Sequence, residues 1–153
     1  INKALTNYVG VKRRFSFIGK KNKSFVYDDY AHHPTEIAAT LSAAKSLKNK
    51  VIVVFQPHRY TRTKILIREF IKVLSKIDHL ILLETYSAGE KIIKGATSKD
   101  IYSKILKKNK NTTYLKNIGD LNKLMKPYTL HQNTIVFMGA GSISSIAKKY
   151  LNK

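Results

Sequence analysis

The chain has 153 residues, 43% of them hydrophobic, no Cys and a formal net charge of +20. That length can enclose one core, while the missing Cys excludes disulfides, thiolate metal sites and a cysteine nucleophile. No apolar run approaches the roughly eighteen residues of a membrane span, so no membrane partner is expected and a cytoplasmic location is. Of 29 basic residues 24 are Lys, scattered along the chain without a stripe or a nucleic-acid motif. Solvated helix faces explain them better than a phosphate-tracking groove, and no specific nucleic acid is expected as partner.

The first residue is Ile1 rather than Met, which reads as a segment of a longer or processed chain. Residues 1–14 have weak periodicity and run into "GVKRRF", as a connector would, ahead of a domain at 15–153. "RRFSFIGKKNKSFVYDD" predicts a strand, a polar turn around Lys20 to Lys23 and a second strand holding Phe25, Val26 and Tyr27. Pro34 suits the first position of a helix, Glu36 lies where the N-terminal dipole favours an acid, and Ile37, Leu41, Ala44 and Leu47 share one face. "VIVVF" at Val51 to Phe55 and "HLILLE" at His79 to Glu84 are continuous apolar runs, expected of strands covered on both sides. Leu66, Phe70, Val73, Leu74 and Ile77 mark a helix between them.

Ile101 and Ile105 mark a short helix capped at Ser98. "TTYL" at Thr112 to Leu115 predicts a weaker strand, and Leu121 to Met125 a helical turn. "TIVFM" at Thr134 to Met138 predicts the last strand, followed by a helix through Ile143, Ile146, Ala147 and Tyr150. Strands alternating with helices imply an α/β fold: a Rossmann-like, mostly parallel sheet with helices on both faces.

In that architecture the polar clusters converge. "DDYAHH", "QPHRYTR", "TYSAGE" and "GAGS" each follow a predicted strand, so all four lie at carboxyl ends, where open α/β sheets bind ligands. "GAGSIS" has Ser144 where a dinucleotide fingerprint needs its third Gly, and close helix-to-strand packing accounts for its glycines. His32, His33 and His58 lack any recognised metal-ligand spacing with Asp29, so hydrogen bonding to a ligand is their expected role. Arg59 and Arg62 offer planar forks in a chain with nine acids, which favours a carboxylate or phosphate as their partner.

"DDYAHHPTEI" followed by "VFQPHRYTRT", with "GVKRRF" upstream and "YSAGE" downstream, resembles the C-terminal domain of the Mur ligases, over nearly the whole chain. The "QPHRYTRT" segment resembles the branch that joins L-alanine to UDP-N-acetylmuramate in peptidoglycan precursor synthesis; "HHPT" is shared with the branch that attaches a recycled peptide to the same sugar nucleotide. The resemblance implies an ATP-dependent ligase with two further domains: an N-terminal one for the UDP-sugar and a central one whose P-loop and acids hold ATP and Mg. This sequence contains no GxxxxGK[ST], so it is expected to be inactive alone, with no catalytic residue and no metal ligand of its own. Carried over by position, the resemblance puts Arg14, Asp29 and His32 at the nucleotide, and Tyr30, His32, His58, Arg59 and Arg62 at L-alanine. Asp28, His33 and Glu36 become supporting or capping residues, and Ser16 replaces the acid often found two positions after the hinge arginine. Two other classes stay open from the residues alone: a basic nucleic-acid-binding module, which steep salt-dependent retention would favour, and a free-standing nucleotide-binding enzyme.

Overall fold

In β3 (Lys50–Phe55) every residue from Val51 onward is buried, so successive side chains must be covered on opposite faces. The computed structural model, which describes residues 13–152, shows the two covers. Val51, Val53 and Phe55 meet α1 (Pro34–Ser46), α3 (Ile67–Leu74) and α4 (Ser98–Ile105) through Ile37, Leu41, Phe70, Leu74, Ile101 and Ile105. Ile52 and Val54 meet α5 (Leu121–Thr129) and α6 (Ile143–Leu151) through Met125, Ile143, Ala147 and Tyr150. Removing those apolar faces from water, at about 25 cal/mol per Å², is what holds the three layers together.

The sheet has six strands in the order β1-β2-β6-β3-β4-β5. β1 (Ser16–Lys21) and β2 (Ser24–Asp29) form an antiparallel hairpin about the expected turn, where Asn22 takes φ 50°. β4 (His79–Leu83), β5 (Thr112–Leu115) and β6 (Asn133–Met138) complete a parallel set with β2 and β3. β6 returns between β2 and β3, and its following helix crosses to the face opposite the helices that follow those two strands. That reversal falls at the carboxyl ends of β2, β6 and β3, the position where open α/β sheets bind ligands.

Four local expectations are corrected. The helix marked by Leu66 to Ile77 is the shorter α3, and a separate helix that no apolar stripe predicted, α2 (Tyr60–Ile65), precedes it across a break at Leu66 (φ −105°, ψ 20°). Two buried faces impose the break: Tyr60 and Thr63 seat α2, whereas Phe70, Val73 and Leu74 seat α3, and Ile77 reaches the core beyond the helix end. Leu47 lies past the last turn of α1 and is exposed. Thr97, not Ser98, caps α4: its hydroxyl accepts from the Asp100 N–H while Asp100 accepts from the Thr97 N–H, and Ser98 is buried against the Thr85 hydroxyl. The turn at Leu121 runs on as helix to Thr129, with Pro127 inside it. The connector expected at 1–14 lies outside the described residues except for Arg13 and Arg14.

Candidate functional site

Backbone hydrogen bonding continues past the strand ends and ties the four polar loops together. The Gly139 N–H donates to the Asp29 carbonyl at 3.0 Å and the Gln56 N–H to the Met138 carbonyl at 3.0 Å. The Tyr86 N–H donates to the Pro57 carbonyl at 2.8 Å, and the Arg59 N–H donates back to the Tyr86 carbonyl at 2.9 Å. Glycine is required where these loops touch: a Cβ on Gly139 (φ +149°) would lie 2.7 Å from the Gln56 carbonyl oxygen, and one on Gly141 would lie 2.5 Å from Cγ of Tyr86. Close approach of loop to loop, rather than of helix to strand, is therefore what the "GAGS" glycines serve.

The Asp29 carboxylate faces inward. One oxygen accepts from the Phe15 N–H at 2.7 Å and the Thr40 hydroxyl at 3.1 Å, the other from the Ala31 N–H at 2.6 Å. With three donors engaged and 3% exposure, Asp29 fixes the shape of the loop it begins. Beyond it, His33 is the N-cap of α1, and Glu36 reaches back to accept from the N–H groups of His32 at 3.0 Å and His33 at 3.1 Å. Burial alone would raise the Glu36 carboxyl, but those two donors, with His32 and Arg14 nearby, outweigh it and hold the group below its ordinary range.

Tyr30, His32, His58, Arg59 and Arg62 come together on the rim. Tyr30 and His32 meet edge to face at 5.1 Å, and His32 and His58 lie 6.1 Å apart between ring centres. His32 Nδ1 is 2.9 Å from the Tyr30 carbonyl oxygen, a contact that requires Nδ1 to donate and leaves Nε2 an acceptor in the neutral ring. His58 is the reverse. An Arg62 guanidinium nitrogen donates to its Nδ1 at 3.3 Å, so the neutral ring carries its proton on Nε2. Burial first, then Arg62, His32 and Arg59, push the His58 pKa below the usual imidazole value against a weaker pull from Glu90. The rim thus offers one imidazole acceptor, one imidazole donor and two guanidinium groups, an arrangement complementary to an ammonium-derived amine beside a carboxylate.

The family model for the "Mur ligase, glutamate ligase domain" matches residues 13–141. The chain belongs to the Mur ligase family. It is 41% identical, over its whole length, to the UDP-N-acetylmuramate–L-alanine ligase of Carboxydothermus hydrogenoformans, of which it covers 33%. Among solved structures it resembles the UDP-N-acetylmuramate–alanine ligase of Thermotoga maritima (29% identity, TM-score 0.75), with 98% of this chain and 31% of that one matched. It also resembles the murein peptide ligase of Psychrobacter arcticus (25% identity, TM-score 0.74), with 98% and 31% matched. Backbone shape does not separate the two branches. The chain spans about a third of the length of the relatives it matches.

In this Mur ligase domain the two entry arginines differ. Arg14 is largely exposed, 3.8 Å from the Glu36 carboxylate, at the margin of the rim. Arg13, to which the sequence motifs assign no ligand, packs inward: it donates to the Gly139 carbonyl at 2.8 Å, pairs with Asp28 at 3.5 Å and lies 4.7 Å over the Tyr30 ring. Asp28 also accepts from the Ser144 hydroxyl, which places it beneath the rim as a support. Tyr86 and Glu90 were missed as well, although "YSAGE" was visible as a motif. Among the described residues no group of three His, Asp or Glu side chains is placed to hold a metal.

Proposed function

We propose that this domain is the C-terminal part of a cytoplasmic ligase that joins L-alanine to UDP-N-acetylmuramate at the expense of ATP. The observation that carries the reading is the juxtaposition of Arg59 and Arg62 with two oppositely protonated imidazoles, in a chain whose relatives across its full length bear that activity. Arg62 and Arg59 take the amino-acid carboxylate, with Tyr30 and the N–H of His58 beside it. His32 accepts a hydrogen bond from the neutral amine. Held this way, the amine nitrogen is presented with its lone pair free to attack the lactyl carbon activated as an acyl phosphate; phosphate leaves, an amide forms and a proton is released. Orientation of this kind removes much of the entropic barrier without any nucleophile in the domain.

On the nucleotide side Arg14, largely exposed beside Glu36 at the end of the connector, reaches a phosphate, and Asp29 acts by holding the loop that presents His32. A magnesium ion accompanying ATP is assigned to the nucleotide and to the rest of the enzyme. Residues 1–14 serve as the connector and 15–153 as the domain. The 153-residue chain alone should release no phosphate from ATP in response to L-alanine, and the full-length enzyme should do so only with UDP-N-acetylmuramate present. A coupled phosphate assay checks both; alanine-dependent hydrolysis by the chain alone would contradict the division of labour.

A further inference from the structure

The "YSAGE" loop has no ligand role in the reading above, yet it holds the arginine-bearing segment at three points. The first is the backbone exchange of Tyr86 with Pro57 and Arg59, which pins Arg59 at the unfavourable φ of 70°. The second is the Tyr86 ring, stacked on the His58 imidazole at 5.4 Å between centres and 12° between planes. The third is Glu90, whose carboxylate accepts from the Thr61 N–H at 3.0 Å and the Thr61 hydroxyl at 2.6 Å. Arg59 has no side-chain oxygen with which to cap α2, and Glu90 supplies that acceptor from outside the helix.

We propose that Tyr86 is a positioning residue for the arginine clamp: its ring holds His58 at the angle that lets Nδ1 receive Arg62, and Gly141 is glycine to admit that ring. The ring's underside rests where a Gly141 Cβ would fall, 2.5 Å from Tyr86 Cγ, so the "GAGS" and "YSAGE" loops interlock beneath His58. Tyr86 is 42% exposed, more than its core-facing neighbours, so its use lies in the plane it offers to His58 rather than in filling the core. A tilted imidazole would turn its Nδ1 lone pair away from Arg62, and the guanidinium would lose the contact that fixes its fork.

The consequence for the amino acid rests on the proposed function; the consequence for His58 does not, and the two are measured separately. His58 is faced by Arg62, Arg59, His32, Tyr86 and Glu90, and burial is the largest cause of its lowered pKa. In the 153-residue chain, Tyr86→Ala should raise the His58 titration midpoint, followed by NMR, toward the ordinary value of about 6.5, while Tyr86→Phe should leave it in place. Gly141→Ala, which pushes the ring aside without removing it, should move it in the same direction. In the full-length enzyme Tyr86→Ala should raise the alanine KM about tenfold, roughly the loss of one charge-assisted contact, with the ATP constant and kcat little changed and Tyr86→Phe restoring it. An unmoved midpoint in folded Tyr86→Ala and Gly141→Ala proteins would overturn the positioning role. A moved midpoint with only the ATP constant raised would support that role and overturn the assignment of the clamp to the amino acid.

Discussion

Replacing Arg62 with Lys in the full-length enzyme is expected to raise the apparent alanine constant about ten- to a hundredfold while leaving the ATP and sugar-nucleotide constants near their starting values. The charge is kept, but a lysine ammonium is a point donor on a flexible stem and cannot make the planar two-point contact that a carboxylate accepts. It also loses the fixed geometry that the His58 contact at 3.3 Å gives the guanidinium. A charge-assisted bond of this kind is worth roughly 1.5–3 kcal/mol, which sets the fold-change. Steady-state kinetics varying each of the three substrates in turn separates the possibilities. A raised ATP constant with an unchanged alanine constant would reverse the assignment of the two motifs.

The second large effect is on stability. Asp29→Ala should lower the melting temperature of the 153-residue chain by on the order of 10 °C, because it strands the Phe15 and Ala31 N–H groups and the Thr40 hydroxyl. A donor left without an acceptor in a buried setting costs about 1–3 kcal/mol, and a domain of this size loses roughly 2–4 °C per kcal/mol. Asp29→Asn keeps one acceptor oxygen and should fall about halfway. Thermal denaturation followed by circular dichroism measures both. A melting temperature within a degree or two of the parent for Asp29→Ala would mean that the carboxylate does not organise the loop, and would return it to direct ligand contact.

Most of the layer order was legible because strand and helix periods differ. "VIVVF" is apolar at every position and "TIVFM" at all but Thr134, and a strand buried on both faces needs that; Val53 and Ile52 duly enter opposite cores. The convergence of four loops followed from the same alternation. What periodicity could not reach was the interior of "QPHRYTRT". Its polar residues carry no apolar stripe, so α2 was invisible and Arg62 was expected on a loop; burial of only Tyr60 and Thr63 makes it a helix. The direction of Asp29 was equally hidden, since a strand-end carboxylate reads the same whether it faces solvent or the Phe15 and Ala31 N–H groups. Arg13 and Arg14 are adjacent and alike in sequence. Asp28 and the Tyr30 ring, which only the fold brings near, draw one of them inward.

The central claim is that the clamp receives the carboxylate and amine of a single small amino acid in an enzyme acting on UDP-N-acetylmuramate. It is tested most directly by phosphate release from ATP by the full-length enzyme with that sugar nucleotide, compared between L-alanine and the tripeptide L-alanyl-γ-D-glutamyl-meso-diaminopimelate. Release is expected with L-alanine and not with the tripeptide, accompanied by a product heavier by one alanyl residue. Release with the tripeptide alone would contradict the claim and place this domain in the peptide-attaching branch.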